Sequence, residues 1–177
     1  MSLKPQVLIV LGSDSDLPLM SATCTTLEEF GVGYSLRILS AHRVPQEVAA
    51  VATSAQDENY QVIIAAAGMA AHLPGVIAAY TTLPVIGVPL QSKVLDGLDA
   101  LYSIVQMPPG VPVATVGINA AKNAALLALQ IIGVNDSAVS TALKRYKAAM
   151  ADAVRNKDHR VQAIGYKAYL QEKGVVR

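Results

Sequence analysis

Two histidines and two short polar loops carry the residue types that could perform chemistry. Ser13-Asp14-Ser15-Asp16 follows one apolar run, and Ser40-Ala41-His42-Arg43 follows another. The unperturbed pKa of histidine, about 6.5, suits proton transfer near neutrality. The adjacent Arg43 is a typical group for holding a phosphate or a carboxylate. For a lone loop histidine, the absence of any role remains the simpler alternative.

The first loop and the second histidine each have two interpretations. Ser13 and Asp16 could bind a nucleotide, with serine and backbone N–H groups on phosphate and the carboxylate on ribose hydroxyls. They could equally cap the following helix, because Ser and Asp are preferred at that position. His72 lies in the apolar segment Gly68–Gly75, where small residues let a ligand approach the backbone. A buried histidine bonded to a carbonyl is the rival interpretation.

The elements that position these loops alternate along the chain. Apolar runs predict strands near 6–12, 34–39, 61–66, 84–88 and 113–117, and helical patterns occupy 16–30, 45–57, 73–81, 95–104 and 119–132. Alternating strands and helices predict βαβ units and a parallel sheet, with Pro45 and Pro74 at helix starts. The loops after the first four strands should therefore meet at one sheet edge, where α/β folds bind ligands.

Two more helices, over 137–155 and 159–173, follow the last strand without a strand of their own to cover. We expect them to pack on a neighbouring subunit. The sequence predicts one domain over 1–177, with a core at about 6–133 and an oligomerisation segment at about 137–173.

Composition excludes several classes of function. Hydrophobic residues make up 53% of the chain and charged residues 15%, yet no apolar run is long enough to span a membrane. A net charge of +1 argues against a nucleic-acid partner. The single Cys24 excludes an internal disulfide, fits the cytoplasm and is expected to be a buried structural thiol.

Motif absences narrow the chemistry further. The three histidines, at 42, 72 and 159, have no metal-binding spacing. The chain also lacks GxxxxGK[ST], GxGxxG and G-x-S-x-G patterns. We therefore expect proton-transfer chemistry on a small phosphorylated ligand, without a metal and without an ATP or NAD site of the usual kind.

Four motifs in order resemble one family. The segments GSDSD, SAHR, AAAGMAAHLPGVIAAYTTLPVIGVP and YSIVQMPPGVPVATVGINAAKNAALLALQI are similar to those of class I 5-(carboxyamino)imidazole ribonucleotide mutases of purine biosynthesis. The resemblance runs from residue 6 to about 133 and implies a flavodoxin-like α/β/α sandwich with C-terminal helices that reach a neighbouring subunit. It also implies a cytoplasmic octamer without metal or cofactor, and leaves open a transient contact with the synthetase that makes the substrate.

The implied reaction converts N-carboxyaminoimidazole ribonucleotide to 4-carboxyaminoimidazole ribonucleotide. The resemblance implies that His42 is the acid/base and that the nucleotide contacts are Ser13, Asp16, Arg43, Ser40, Gly68, Ala71, His72 and Leu73. Met69 departs from the glycine that many such mutases carry, which affects pocket volume. Two alternatives stay open: a second class that carboxylates aminoimidazole ribonucleotide with free carbon dioxide, and a non-catalytic module that binds a mononucleotide.

Overall fold

The centre of the molecule is a five-stranded parallel sheet. The computed structural model describes residues 4–175. The strands are β1 (Pro5–Leu11), β2 (Gly33–Ile38), β3 (Val62–Gly68), β4 (Val85–Leu90) and β5 (Ala114–Thr115). Their spatial order, β2-β1-β3-β4-β5, is that of flavodoxin-like folds and confirms the predicted fold class.

Six helices follow the strands. They are α1 (Leu17–Glu29), α2 (Pro45–Ser54), α3 (Leu73–Tyr80), α4 (Leu98–Val105), α5 (Ala121–Ile132) and α6 (Ser137–Glu172). A short 3₁₀ turn, Asp14–Asp16, precedes α1. Prolines stand in the first turns of α1, α2 and α3, where a missing N–H costs no hydrogen bond.

Both faces of the sheet are covered, which explains the high apolar content. Along β1, Val7, Ile9 and Leu11 pack with α1 and α5. The alternate residues Leu8 and Val10 pack with α2, α3 and α4 on the other face. The result is the predicted three-layer sandwich, whose central strands are apolar throughout because neither face meets water.

The C-terminal segment differs from the expectation of two helices. α6 continues through Asn156, where a break was expected, because the residues around it are compatible with a helix. The break lies instead at Gly165, whose φ of 77° and ψ of 159° favour glycine. Only Val139 and Leu143 are buried along this helix.

Two further comparisons with the sequence concern β5 and membranes. The expected strand at 113–117 is reduced to Ala114–Thr115, which pairs with Ile86 and Gly87 at the edge of the sheet.

Within residues 4–175, no helix has both the length and the apolar character needed to cross a membrane.

Candidate active site

The loop after β1 is a closely hydrogen-bonded turn. Ser13 Oγ accepts a hydrogen bond from the Ser15 N–H at 3.3 Å, and Asp16 Oδ2 accepts one from the Ser13 N–H at 3.0 Å. These bonds belong to a capping box around the 3₁₀ turn Asp14–Asp16, whereas Asp16 makes no side-chain cap bond to α1. Ser13 and Asp16 therefore cap the short turn before the helix and not the helix itself. Both residues also face a cavity, and capping therefore fixes their position without excluding ligand contact.

The side chain of Asp16 is partly buried beside the cavity. Partial burial raises the pKa of its carboxyl above the ordinary value of 3.8, although the hydrogen bonds from the Ser13 backbone and the Ser15 side chain act in the opposite direction. The charged carboxylate is thus held beside the cavity at a cost in solvation.

The loop after β2 presents His42 and Arg43 to solvent. The Arg43 and Val44 N–H groups both donate to the Ser40 carbonyl, at 3.2 and 2.9 Å. This turn leads directly into α2 at Pro45. His42 and Arg43 are exposed side chains on a backbone whose path is fixed by these bonds.

The loop after β3 contains a strained residue. Met69 has a φ of 57°, in the left-handed region, which costs a residue with a Cβ about 1–2 kcal/mol. The next turn is closed by a hydrogen bond from the His72 N–H to the Ala70 carbonyl at 2.9 Å. His72 then stands immediately before α3.

The two histidines contact each other across 30 positions of sequence. His42 Nε2 and His72 Nδ1 are 2.8 Å apart, and the rings meet edge to face at 81° with centroids 5.0 Å apart. In this hydrogen bond one nitrogen donates and the other accepts. His72 is exposed and bonded to a side chain, so the interpretation as a buried histidine bonded to a carbonyl is wrong.

One cavity of about 710 Å³ collects the loops at the carboxyl edge of the sheet. A volume of this size suits a mononucleotide-sized ligand. Eight of the nine nominated residues line it: Ser13, Asp16, Ser40, His42, Arg43, Gly68, His72 and Leu73. Ala71 does not; it is 1% exposed and packs into the core between the sheet and α2, α3 and α4.

The loop after β4, which the sequence places at the same edge, supplies four lining residues that were not among the nine predicted site residues. They are Gln91, Ser92, Lys93 and Val94, which directly follow β4. Asn119 holds this loop, because its Oδ1 accepts from the Gln91 N–H at 2.9 Å and its Nδ2 donates to Gln91 Oε1 at 3.0 Å. The available signal was the change from an apolar strand to polar residues.

The described residues contain no cluster of side chains that could bind a metal ion. Within residues 4–175, no three His, Cys, Asp or Glu side chains lie close enough together to hold a metal ion. The site's polar groups are instead a histidine pair, one arginine, one lysine, a carboxylate and hydroxyls. Together they can bind an anionic sugar phosphate and move a proton.

This chain is similar to several known proteins of one family. A family model described as AIR carboxylase matches residues 6–153. The N5-carboxyaminoimidazole ribonucleotide mutase of Pyrococcus horikoshii is 54% identical over 169 residues, which are 96% of each chain. The phosphoribosylaminoimidazole carboxylase of Saccharomyces cerevisiae is 52% identical over 96% of this chain but 30% of its own. The crystal structure of Treponema denticola PurE superposes with a TM-score of 0.82 at 30% identity, covering 89% of this chain and 98% of that one.

Proposed function

Because this chain belongs to the AIR carboxylase family, we propose that it converts N-carboxyaminoimidazole ribonucleotide to 4-carboxyaminoimidazole ribonucleotide in purine biosynthesis. It is an enzyme of the carboxyl-migrating mutase class, as its mutase relatives at about half identity indicate. The observation that supports this proposal best is the position of His42. It is hydrogen-bonded to His72 on the wall of a cavity that is also lined by an arginine and a carboxylate.

The binding roles follow from charge and position. Arg43 and the hydroxyls of Ser13 and Ser40 suit the 5′-phosphate, because a guanidinium and hydroxyl donors pair well with phosphate oxygens. The Asp16 carboxylate suits ribose hydroxyls, since an ionised carboxylate only accepts hydrogen bonds. Gly68 lines the cavity with backbone alone, and it lets the end of β3 lie close to β4, because an added Cβ would be 3.3 Å from the Leu90 carbonyl oxygen.

His42 is proposed to transfer one proton in each half-reaction. It gives a proton to the carbamate nitrogen as the C–N bond breaks, which releases carbon dioxide and aminoimidazole ribonucleotide inside the cavity. The nucleophilic C4 then attacks the carbon dioxide, and a C–C bond forms. His42 finally takes the C4 proton, which restores both the aromatic ring and the protonated histidine.

His72 is proposed to orient His42 rather than to react. Its Nδ1 lies 2.8 Å from His42 Nε2, so it restricts rotation of the catalytic ring before substrate arrives. A protein hydrogen bond of this kind contributes about 1 kcal/mol. The proposed contribution of His72 is therefore small beside that of the proton transfer itself.

One experiment separates this reaction from direct carboxylation. The purified protein is given either the carbamate nucleotide or aminoimidazole ribonucleotide with bicarbonate, and formation of the C4-carboxylated product is followed by ultraviolet absorbance. We expect fast turnover of the carbamate and a far slower reaction with bicarbonate. Equal or faster use of free carbon dioxide would assign the chain to the carboxylase reaction, and no turnover of either would refute the proposal.

A second part of the proposal concerns assembly. α6 buries only Val139 and Leu143, and it leaves Met150, Val154 and Tyr166 46%, 65% and 64% exposed. Exposed apolar side chains on both sides of the break at Gly165 are typical of a subunit contact. We therefore expect a homo-oligomer, the octamer that the resemblance implies, in which α6 packs on a neighbour.

Light scattering tests this assembly. The unmodified chain should have the mass of several copies of its 18.5 kDa unit. Val154→Asp should reduce that mass, because a buried unpaired charge opposes association. Asn156→Asp, which adds the same charge at an exposed position about 200° around the helix from Val154, is the matched control and should leave the mass unchanged. A full-length monomer that still turns over would refute the assembly.

A further inference from the structure

The loop after β4 has little packing to hold it in place. Residues 91–97 join β4 to α4, and five of the seven, among them Gln91, Lys93 and Asp96, are exposed. The loop ends on two consecutive left-handed residues, Asp96 with a φ of 51° and Gly97 with a φ of 88°. Burial of apolar surface therefore contributes little to its conformation, which depends on hydrogen bonds instead.

Asn119 makes three hydrogen bonds to the end of β4 and the start of this loop. Its N–H donates to the Pro89 carbonyl at 2.9 Å, its Oδ1 accepts from the Gln91 N–H at 2.9 Å, and its Nδ2 donates to Gln91 Oε1 at 3.0 Å. Its φ of 58° lies in the left-handed region, which asparagine adopts more readily than most residues with a Cβ. Glycine would suit this backbone equally well, but it would provide neither side-chain bond.

The hydrogen bonds continue from Gln91 to Asp96 and run in one direction. Asn119 Nδ2 donates to Gln91 Oε1, and Gln91 Nε2 in turn donates to Asp96 Oδ1 at 3.3 Å. An ionised carboxylate only accepts, so Asp96 determines which way the Gln91 amide faces, and Asn119 must then present its NH₂ group to that amide. This hydrogen-bond chain spans the loop from its first residue to its last but one.

The three residues of the hydrogen-bond chain differ in their position relative to the nucleotide cavity. Gln91 lines that cavity together with Ser92 and Lys93. Asp96 and Asn119 line an adjoining cavity of about 490 Å³ instead, and Gln91 belongs to both linings. A ligand in the first cavity would therefore be affected by Asn119 through Gln91 and the loop.

The loop after β4 lies at the opposite end of the cavity from the proposed phosphate site. In the order β2-β1-β3-β4, three strand spacings, about 14 Å, separate the end of β2, which leads to Arg43, from the end of β4. With the phosphate at Arg43, the ring end of the nucleotide extends towards β3 and β4. Ser92 and Lys93 place a hydroxyl and a cation at that end, which suit the carboxyl group on the ring.

We propose that Asn119 is a positioning residue, which through Gln91 holds the loop after β4 in the conformation that receives the ring end of the nucleotide. This inference rests on the proposed function and adds to it a residue that contacts no substrate atom. Because the hydrogen-bond chain already fixes the loop on the cavity wall, binding does not have to order it. Loss of the chain should therefore weaken nucleotide binding and leave proton transfer at His42 largely unaffected.

An exchange of amide and carboxylate tests the direction of the hydrogen-bond chain. Asn119→Asp keeps the acceptor for the Gln91 N–H but brings a second oxygen to Gln91 Oε1, and turning the Gln91 amide over only moves that repulsion to Asp96. Asp96→Asn alone keeps an acceptor for Gln91 Nε2 and is the matched control. The double variant Asn119→Asp/Asp96→Asn has the unmodified net charge, and in it a turned-over Gln91 amide can donate to position 119 and accept from position 96. Asn119→Gly removes both side-chain bonds without adding a charge.

Titration calorimetry compares the C4-carboxylated product nucleotide with ribose 5-phosphate, which lacks the ring. Asn119→Asp and Asn119→Gly should each weaken nucleotide binding by about tenfold, the scale of lost hydrogen bonds, and change ribose 5-phosphate binding by less than about twofold. Asp96→Asn should bind the nucleotide normally, and the double variant should recover most of the affinity lost in Asn119→Asp. With the carbamate nucleotide, KM should rise in the two variants at 119 while kcat stays within about twofold.

Three results would overturn the role of Asn119: unchanged nucleotide affinity in both single variants at 119, equal weakening for ribose 5-phosphate, or a double variant no better than Asn119→Asp. The last would show that the new charge, and not the direction of the hydrogen bonds, causes the loss. Circular dichroism monitors folding, and if Asn119→Gly does not fold, Asn119→Asp and the double variant provide the test. Nucleotide binding without turnover in the unmodified protein would refute the proposed reaction, while the affinities would still decide the role of Asn119.

Discussion

The interior of the sheet and its carboxyl edge follow opposite rules. Within β3, every residue from Val62 to Ala66 is 0% exposed, and the neighbouring central strands are equally apolar. In the loops that follow β2 and β3, His42, Arg43 and Met69 are exposed, and Met69 is strained. Side chains in the interior are buried and well packed, whereas those at the carboxyl edge are exposed and contribute little to packing. Stability and chemistry should therefore respond to substitutions in separate regions of one small fold.

The largest effect on stability should come from the interior. Ile64→Ala removes buried methyl groups from the core between the sheet, α1 and α5 and should lower the free energy of unfolding by about 2–5 kcal/mol. Ile64→Val, the matched control, should cost about 0.5–1.5 kcal/mol. Urea unfolding at one protein concentration measures both, and kcat per folded molecule should remain near that of the unmodified enzyme. A kcat that falls together with stability would contradict the idea that stability and catalysis depend on separate regions.

The largest effect on catalysis should come from the edge. His42→Asn should lower kcat by about 100-fold or more, the usual scale of general acid–base catalysis, and shift stability by no more than about 0.5 kcal/mol. His72→Asn, at the other end of the same hydrogen bond, should cost only a few-fold, corresponding to about 1 kcal/mol. Steady-state kinetics with the carbamate nucleotide compares them. Similar losses in the two variants would contradict the assignment of proton transfer to His42 alone.

Binding should respond at Arg43 next. Arg43→Ala removes a charge-assisted contact worth about 1.5–3 kcal/mol, so the affinity for the product nucleotide should fall by roughly 10- to 150-fold. Arg37→Ala is the matched control, because Arg37 is also exposed but lies on β2 away from the cavity. Titration calorimetry should show unchanged affinity in the control. An unchanged affinity in Arg43→Ala would place the phosphate elsewhere.

The interior was predictable from the sequence because burial on both faces requires long apolar runs. The predicted strands therefore agree with β1 to β4 within about two residues. The strand at 113–117 was overestimated, because only one neighbour pairs with β5 and pairing ends after Thr115. In α6, the pattern of polar and apolar residues does not indicate where the helix breaks. The only indication in the sequence of this helix is Gly165 itself.

The edge was predictable only in part. Parallel topology brings the ends of β1 to β4 together, so the grouping of Ser13, His42 and His72 followed from the strand order. The hydrogen bond between the two histidines did not follow, because it depends on side-chain directions in loops 30 residues apart. Ala71 shows the same limit: its neighbours line the cavity, whereas its own side chain points into the core.

The smallest effect on stability should appear at Asp16, which is partly buried like the interior but carries a charge beside the cavity like the edge. Because burial raises the pKa of its carboxyl, the folded state holds that proton more tightly than the unfolded chain, and the ionised form is the less favourable one in the fold. The associated stability is therefore present at low pH and is lost as pH rises through the raised pKa.

Asp16→Asn tests that conflict, because an amide keeps an acceptor for the Ser13 N–H without the charge. At pH 7 the variant's Tm should equal or exceed that of the unmodified protein by up to about 2 °C, less than about 1 kcal/mol. As pH falls towards 3 the unmodified carboxyl becomes protonated, and the two melting curves should converge. Affinity for the nucleotide should nevertheless fall at pH 7, because the ribose hydroxyls lose a charged acceptor. A variant that is less stable at pH 7 would mean that the charge of Asp16 stabilises the turn. Residues at the edge, like those in the interior, would then contribute to the stability of the fold.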